Sequence, residues 1–267
     1  MRIHLVARVL ALAGVFAMLP WTCTSAAGQE ATAPTENPHT ELNGASGPIN
    51  ASSAQPKPAP RTPDGKPDLS GFWKGPLIIG GMFKSVGGPP FTPEGEAAYK
   101  YNLTHTVNPE ALCLFAGIPR ASISGVPFEI VQNSNRMVFL YELMSTFRSV
   151  PMDGREHSKD IEPSFFGNGV GHWEGDTVVI DSIGFKDKLS WIDDDAHPHS
   201  DAMHVVEKLT REGFMIDWQL SIEDPKVFTR PWVIERHLIH GLKGGHALEE
   251  APCVDHDYSH LVNDDRN

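Results

Sequence analysis

The sequence predicts an all-β fold: an antiparallel up-and-down β-barrel of about eight to nine strands, with one short helix near 93–102. Three observations carry this. Phe214, Ile216, Trp218, Leu220 and Ile222 alternate strictly with Met215, Asp217, Gln219, Ser221 and Glu223, the period of a strand with one buried face. Comparable runs recur along the chain between turn-forming clusters: Asn133-Ser134-Asn135, Asp153-Gly154, Glu174-Gly175-Asp176, Glu212-Gly213 and Asp224-Pro225. Helical periodicity is scarce. A meander of that many strands hides its edges best by closing on itself.

Taken in order, residues 1–27 read as a secretory signal peptide. Arg2 and Arg8 form its basic end, Val9 to Leu19 its apolar run, and Thr24 to Ala27 its small-residue cleavage region. That run is shorter than the about 20 residues a membrane span needs. Residues 28–60, rich in Ala, Thr, Ser, Pro and Asn, read as a disordered leader. One domain is expected over 61–267. Its strands are predicted at 71–79, 127–133, 137–142, 146–151, 169–174, 177–183, 202–211, 214–223 and 227–239. Thr92 as N-cap, Pro93 at the first helical position and Glu94 and Glu96 in the first turn open the one helix. Residues 184–201 form a long loop, and loops of that length in a compact domain are usually functional or disordered. Phe185 and Trp191 argue against disorder.

Lys plus Arg number 22 against 34 Asp plus Glu, a net charge of -12. So acidic a chain is a poor match for nucleic acid or an anionic membrane surface, which need a basic face. Export implies a secreted or periplasmic, oxidising location. With Cys23 in the signal peptide, Cys113 and Cys253 remain and invite a disulfide, two separate buried thiols being the alternative.

Two resemblances add to this. Gly71-Phe72-Trp73 on the first strand, with Arg236 on the last, resembles the lipocalin-type (calycin) arrangement, in which a Gly-x-Trp packs under a late Arg and closes one barrel end. More of the chain is similar to a large family of secreted bacterial proteins whose activity is uncharacterised. The similarity covers Thr62-Pro63-Asp64-Gly65-Lys66-Pro67-Asp68-Leu69-Ser70-Gly71-Phe72-Trp73, Cys113 to Arg120, Asp153-Gly154-Arg155, Gly171 to Thr177, His199-Ser200-Asp201-Ala202, Asp224-Pro225 with Arg230-Pro231-Trp232, and the tail around Cys253. That resemblance implies no activity, but it favours pairing of Cys113 with Cys253.

The chemistry is not announced by a standard motif: GxSxG, the Walker loop, HExxH and GxGxxG are all missing. The densest polar text is 187–207. On the strand entering there, Glu207 shares a face with Met203, Val205 and Leu209, so it needs a partner such as Arg148 or Arg155. Three readings compete. In the first, His199 performs acid–base catalysis near neutral pH, oriented by Asp193 or Glu207, with Arg155 or Arg148 stabilising an anion and His157 at the same barrel mouth. In the second, His197 and His199 help to hold a divalent metal. In the third, the loop is acidic and solvated and its histidines are structural. The first is preferred, without a cofactor, the metal being the fallback. Arg148, His172, Trp191, His197, His204 and Asp187 are then the candidate ligand-binding side chains, and the ligand is a small apolar or aromatic molecule inside the barrel. The expected function is a lyase, isomerase or hydrolase; the alternative is a non-enzymatic carrier of a hydrophobic small molecule.

Overall fold

A computed structural model describes residues 58–75, 88–187, 189–242 and 246–253, with 235–238 described as backbone only. The expected signal peptide and all but the end of the leader lie outside the described residues, as does the second half of the strand predicted at 71–79.

Among the described residues nine strands form one sheet: β1 (Gly71–Lys74), β2 (Pro127–Gln132), β3 (Arg136–Tyr141), β4 (Thr146–Pro151), β5 (Asn168–Glu174), β6 (Thr177–Ile183), β7 (His204–Glu212), β8 (Met215–Glu223) and β9 (Trp232–Gly241). Their order is β4-β3-β2-β1-β9-β8-β7-β6-β5, and every paired neighbour is antiparallel. β4 and β5, the two ends of that order, touch, which makes the sheet a nearly closed barrel. An odd number of strands cannot alternate direction all the way round. Followed along the order, β4 and β5 run the same way, and parallel neighbours need a long crossover in place of a hairpin. Residues 152–167 are that crossover. They climb the outside of β5 and β6: Gly154 N–H donates to Gly171 O, His157 bonds Asp181, and Ser164 N–H donates to Gly184 O.

The alternation read from the sequence fixes what lies inside. Ile216, Trp218, Leu220 and Ile222 of β8 are buried, as are Val205, Glu207 and Leu209 of β7. Phe128, Met137, Phe139 and Ile180 complete a filled interior. β9 begins at Trp232, five residues later than predicted, because Asp224 closes a turn first, its carbonyl accepting from Val227 N and Phe228 N. Phe214 falls in the β7–β8 turn and is exposed.

One barrel end is closed by Trp73. Its indole N–H donates to Leu69 O at 2.9 Å, and a guanidinium lies 5.0 Å from its ring. That guanidinium belongs to Arg211, at the end of β7; the side chain of Arg236, expected under this tryptophan, lies outside the described residues. The connections at the other end are long. They carry α1 (Pro93–His105), a 3-10 turn (Pro109–Leu112), α2 (Arg120–Ile123) and the loops 184–203 and 224–231. Helix α1 opens as predicted, Thr92 Oγ1 accepting from Gly95 N at 2.9 Å, and runs three residues past the expected end. Its polar and apolar residues are mixed round the surface, and its one buried residue is Gly95. There the helix backbone presses on Val227 so closely that an added Cβ would lie 2.2 Å from Val227 O.

Cys113 and Cys253 form a disulfide, with Cα atoms 5.5 Å apart. The same tail is held by Glu142, whose carboxylate accepts from His246 Nε2 and Glu249 N.

Candidate active site

The long connections build a cleft of about 660 Å³, none of whose lining residues belongs to a strand. Helix α1 gives one wall through Ala98, Tyr101 and Asn102. The 187–200 loop gives the other through Asp187, Ser190, Trp191, Pro198, His199 and Ser200, with Lys226 and Val227 at the floor. This cleft lies outside the barrel, whereas the sequence predicts a ligand site inside it. The interior is taken by Trp218, Phe128, Phe139 and their neighbours.

Three anchors hold the loop in shape. Arg120, buried in α2, donates from Nη2 to Asp194 Oδ1 at 2.6 Å and lies 5.7 Å from the Trp191 ring. Asp193 accepts from Asp195 N at 3.0 Å and holds His197 Nδ1 at 2.6 Å. Asp224 accepts from Ser200 N at 2.6 Å and from Ser200 Oγ at 2.8 Å. Ala196 takes a left-handed conformation (φ 65°), turning the chain between Asp193 and His197.

Within this frame His199 is buried and bonded at both ring nitrogens. Nδ1 lies 3.2 Å from Ser200 O, and Nε2 lies 2.8 Å from Ser190 Oγ. A carbonyl only accepts, so Nδ1 carries the proton and Nε2 receives the Ser190 hydroxyl. Burial pushes the His199 pKa below its ordinary 6.5, and Asp224 and Asp187 pull the other way. The imidazole is therefore neutral near pH 7, with its basic nitrogen on a serine oxygen at a cleft wall. That is the geometry of a nucleophile and its base.

The remaining predicted residues divide among other places. Asp187 and Trp191 line the cleft with His199. Asp193 does not orient His199, because it is spent on His197. His197 packs among Tyr99 (stacked, 4.9 Å), Trp232 (edge-on, 5.2 Å) and Phe91, away from His199 across Pro198. The two fallback metal ligands therefore do not converge, and among the described residues no group of three or more His, Cys, Asp or Glu is placed to hold a metal. Glu207 lies inside the barrel. Its partner is Arg148, at 2.6 Å, with Trp218 Nε1 donating to it at 3.3 Å and Ser182 Oγ accepting from Arg148 at 2.7 Å. Tyr141 lies beside this pair, and burial lifts its phenol to about 12. Arg155 is not at a barrel mouth: it is exposed and its guanidinium is on Asp153. His157 and His204 both bond Asp181, at 2.8 and 2.9 Å, on the outer face of the sheet, where they fasten the crossover to β6 and β7. His172 also faces outward, beside Glu174, and not into a cavity.

Ser190 and Asp224, which bond His199 and Ser200, are the side chains of this cluster that the sequence does not single out. Ser190 follows Leu189 in a loop with no motif around it, and Asp224 reads only as half of an Asp-Pro turn. No protein-family model matches this chain, and no curated protein matches it. Among the described residues no helix is long and apolar enough to cross a membrane.

Proposed function

We propose that the protein is an exported hydrolase of small apolar or aromatic esters, with Ser190 as nucleophile and His199 as its base. The observation that carries this is the 2.8 Å contact of Ser190 Oγ with His199 Nε2 on the wall of the cleft, with Nδ1 committed to Ser200 O. Ser190 Oγ attacks the ester carbonyl carbon as its proton passes to Nε2. The tetrahedral intermediate expels the alcohol, which takes that proton back, and water, deprotonated by the same nitrogen, releases the acid. Lys226 lines the cleft with its ammonium on Asp201 Oδ1 at 2.5 Å, and it would have to leave that pair to meet a developing oxyanion. Ala98, Tyr101, Trp191, Pro198 and Val227 favour an apolar acyl or aryl group. Export is supported by the N-terminal sequence and the disulfide, which suit an oxidising compartment.

The test is covalent labelling with a fluorophosphonate, mapped by mass spectrometry, together with turnover of aryl esters. The expected adduct is on Ser190, absent in Ser190→Ala and reduced at least a hundredfold in rate in His199→Ala. An adduct elsewhere, or labelling indifferent to His199→Ala, rejects the assignment. Ester binding without turnover, unchanged by His199→Ala, makes the cleft a carrier site instead.

A further inference from the structure

A second concavity, of about 570 Å³, runs along the seam between β4 and the end of the crossover. Its lining contains four phenylalanines from three parts of the chain: Phe115 after the 3-10 turn, Phe147 on β4, and Phe165 and Phe166 on the crossover. Phe115 packs edge-on to Phe165 at 5.5 Å, and Phe166 stacks on Tyr141 at 5.6 Å, which fixes the floor against the barrel. Phe147 is 68% exposed and Phe115 43%. Apolar surface gathered in a concavity on so acidic a chain marks a binding site more than a solvated face.

The groove also carries a cation, Lys186, with no ion pair among the described residues. Lys186 Nζ lies 5.0 Å from the Phe165 ring, and among the described residues no carboxylate is within ion-pair distance of it. Arg148 reaches the lining too, but its charge is taken by Glu207. Glu162, the acid of the lining, is exposed. One free ammonium suits a singly charged head group; a phosphate would call for several converging donors.

We propose that this groove binds an amphipathic carboxylate, with an aliphatic or aromatic body along the phenylalanines and its head on Lys186. The site is separate from Ser190 and His199 and stands whether or not the cleft is hydrolytic.

Calorimetric titration of the full, disulfide-bonded chain with decanoate, decanol and decylamine tests it. The expected result is saturable one-site binding of decanoate, at least tenfold tighter than decylamine. Lys186→Gln should weaken decanoate about tenfold and leave decanol unchanged. Phe147→Ser, at an exposed position, should weaken both. Decylamine binding as tightly as decanoate overturns the proposal, as does a full chain that binds none of the three because its own residues or a second copy fill the groove. If Lys226→Gln and not Lys186→Gln weakens decanoate, the anion occupies the other cleft and the assignment is wrong.

Discussion

His199 has its two ring nitrogens committed to different tasks, and the neighbouring residues decide which. Ser200 O holds the proton on Nδ1, and Asp224 holds Ser200 through both its amide and its hydroxyl. Asp224 therefore stands one residue removed from where a triad carboxylate would be. Asp224→Asn keeps an acceptor oxygen but removes the charge that raises the His199 pKa. A titration of His199 followed by NMR should show its midpoint fall further, with aryl-ester turnover reduced at least tenfold; an unmoved midpoint would limit Asp224 to closing its turn. The pH dependence has a definite sign. The folded pKa lies below 6.5, so ester hydrolysis should rise through that lower value and be level by pH 7. The same shift destabilises the fold as pH drops, because unfolded His199 takes up its proton first: the loss begins near 6.5 and is complete below the folded pKa. Composition pointed to His199 because histidines and acids crowd 187–207. It misassigned the partner because Asp193 is turned onto His197 by the left-handed backbone at Ala196, a conformation that alanine gives no reason to expect.

Among the elements, α1 is the least self-sufficient. It has no continuous apolar stripe, so it is held by its ends and by Tyr99 stacked between Phe91 and His197. Thr92 ties its start to Val227, and Asn102 Nδ2 donates to Ala196 O near its finish. Gly95 is the point of closest approach. Gly95→Ala raises helix propensity by roughly 1 kcal/mol but drives a methyl into the Val227 carbonyl, so the docking should lose more than the helix gains. We expect a lower melting temperature by calorimetry and a raised KM for aryl esters, since the same helix walls the cleft. The helix start was legible because capping is local chemistry. Its docking was not, since a glycine in a helix reads as a weakness until the opposing carbonyl is seen. The crossover was equally hidden. Asp153-Gly154 reads as a hairpin, but with nine strands the link between β4 and β5 has to travel the length of the barrel.

Across the whole molecule, the described barrel interior is packed with large side chains around the buried pair of Arg148 and Glu207. Removing one member strands the other in an apolar interior. Glu207→Gln or Arg148→Met alone should cost about 3–5 kcal/mol in urea denaturation, whereas the double replacement Arg148→Met with Glu207→Leu should recover most of that. An equal loss in the double variant would argue against this account. The pairing was foreseeable because a carboxylate on the apolar face of β7 must find a cation, and strand alternation gives the face. That large side chains pack the interior was not legible, because strand period reports which side is buried and not how it is filled. The disulfide closes 140 residues of sequence, for which loop entropy alone is worth about 5 kcal/mol, an upper figure for what reduction would remove.

The odd strand count has one more consequence. Eight of the nine contacts round the barrel are ladders of hydrogen bonds; the ninth, β4 against β5, is made by side chains, with Met152 and Val150 pressed against Gly171 and the Arg148 guanidinium against Gly169. The long ladders open only by breaking many bonds together, while a packed seam, like the two-pair β1–β9 ladder, can part locally. The amides of β4 and β5 should therefore exchange with deuterated solvent ahead of those shared by β7 and β8, so that the molecule breathes along a line that parity imposes.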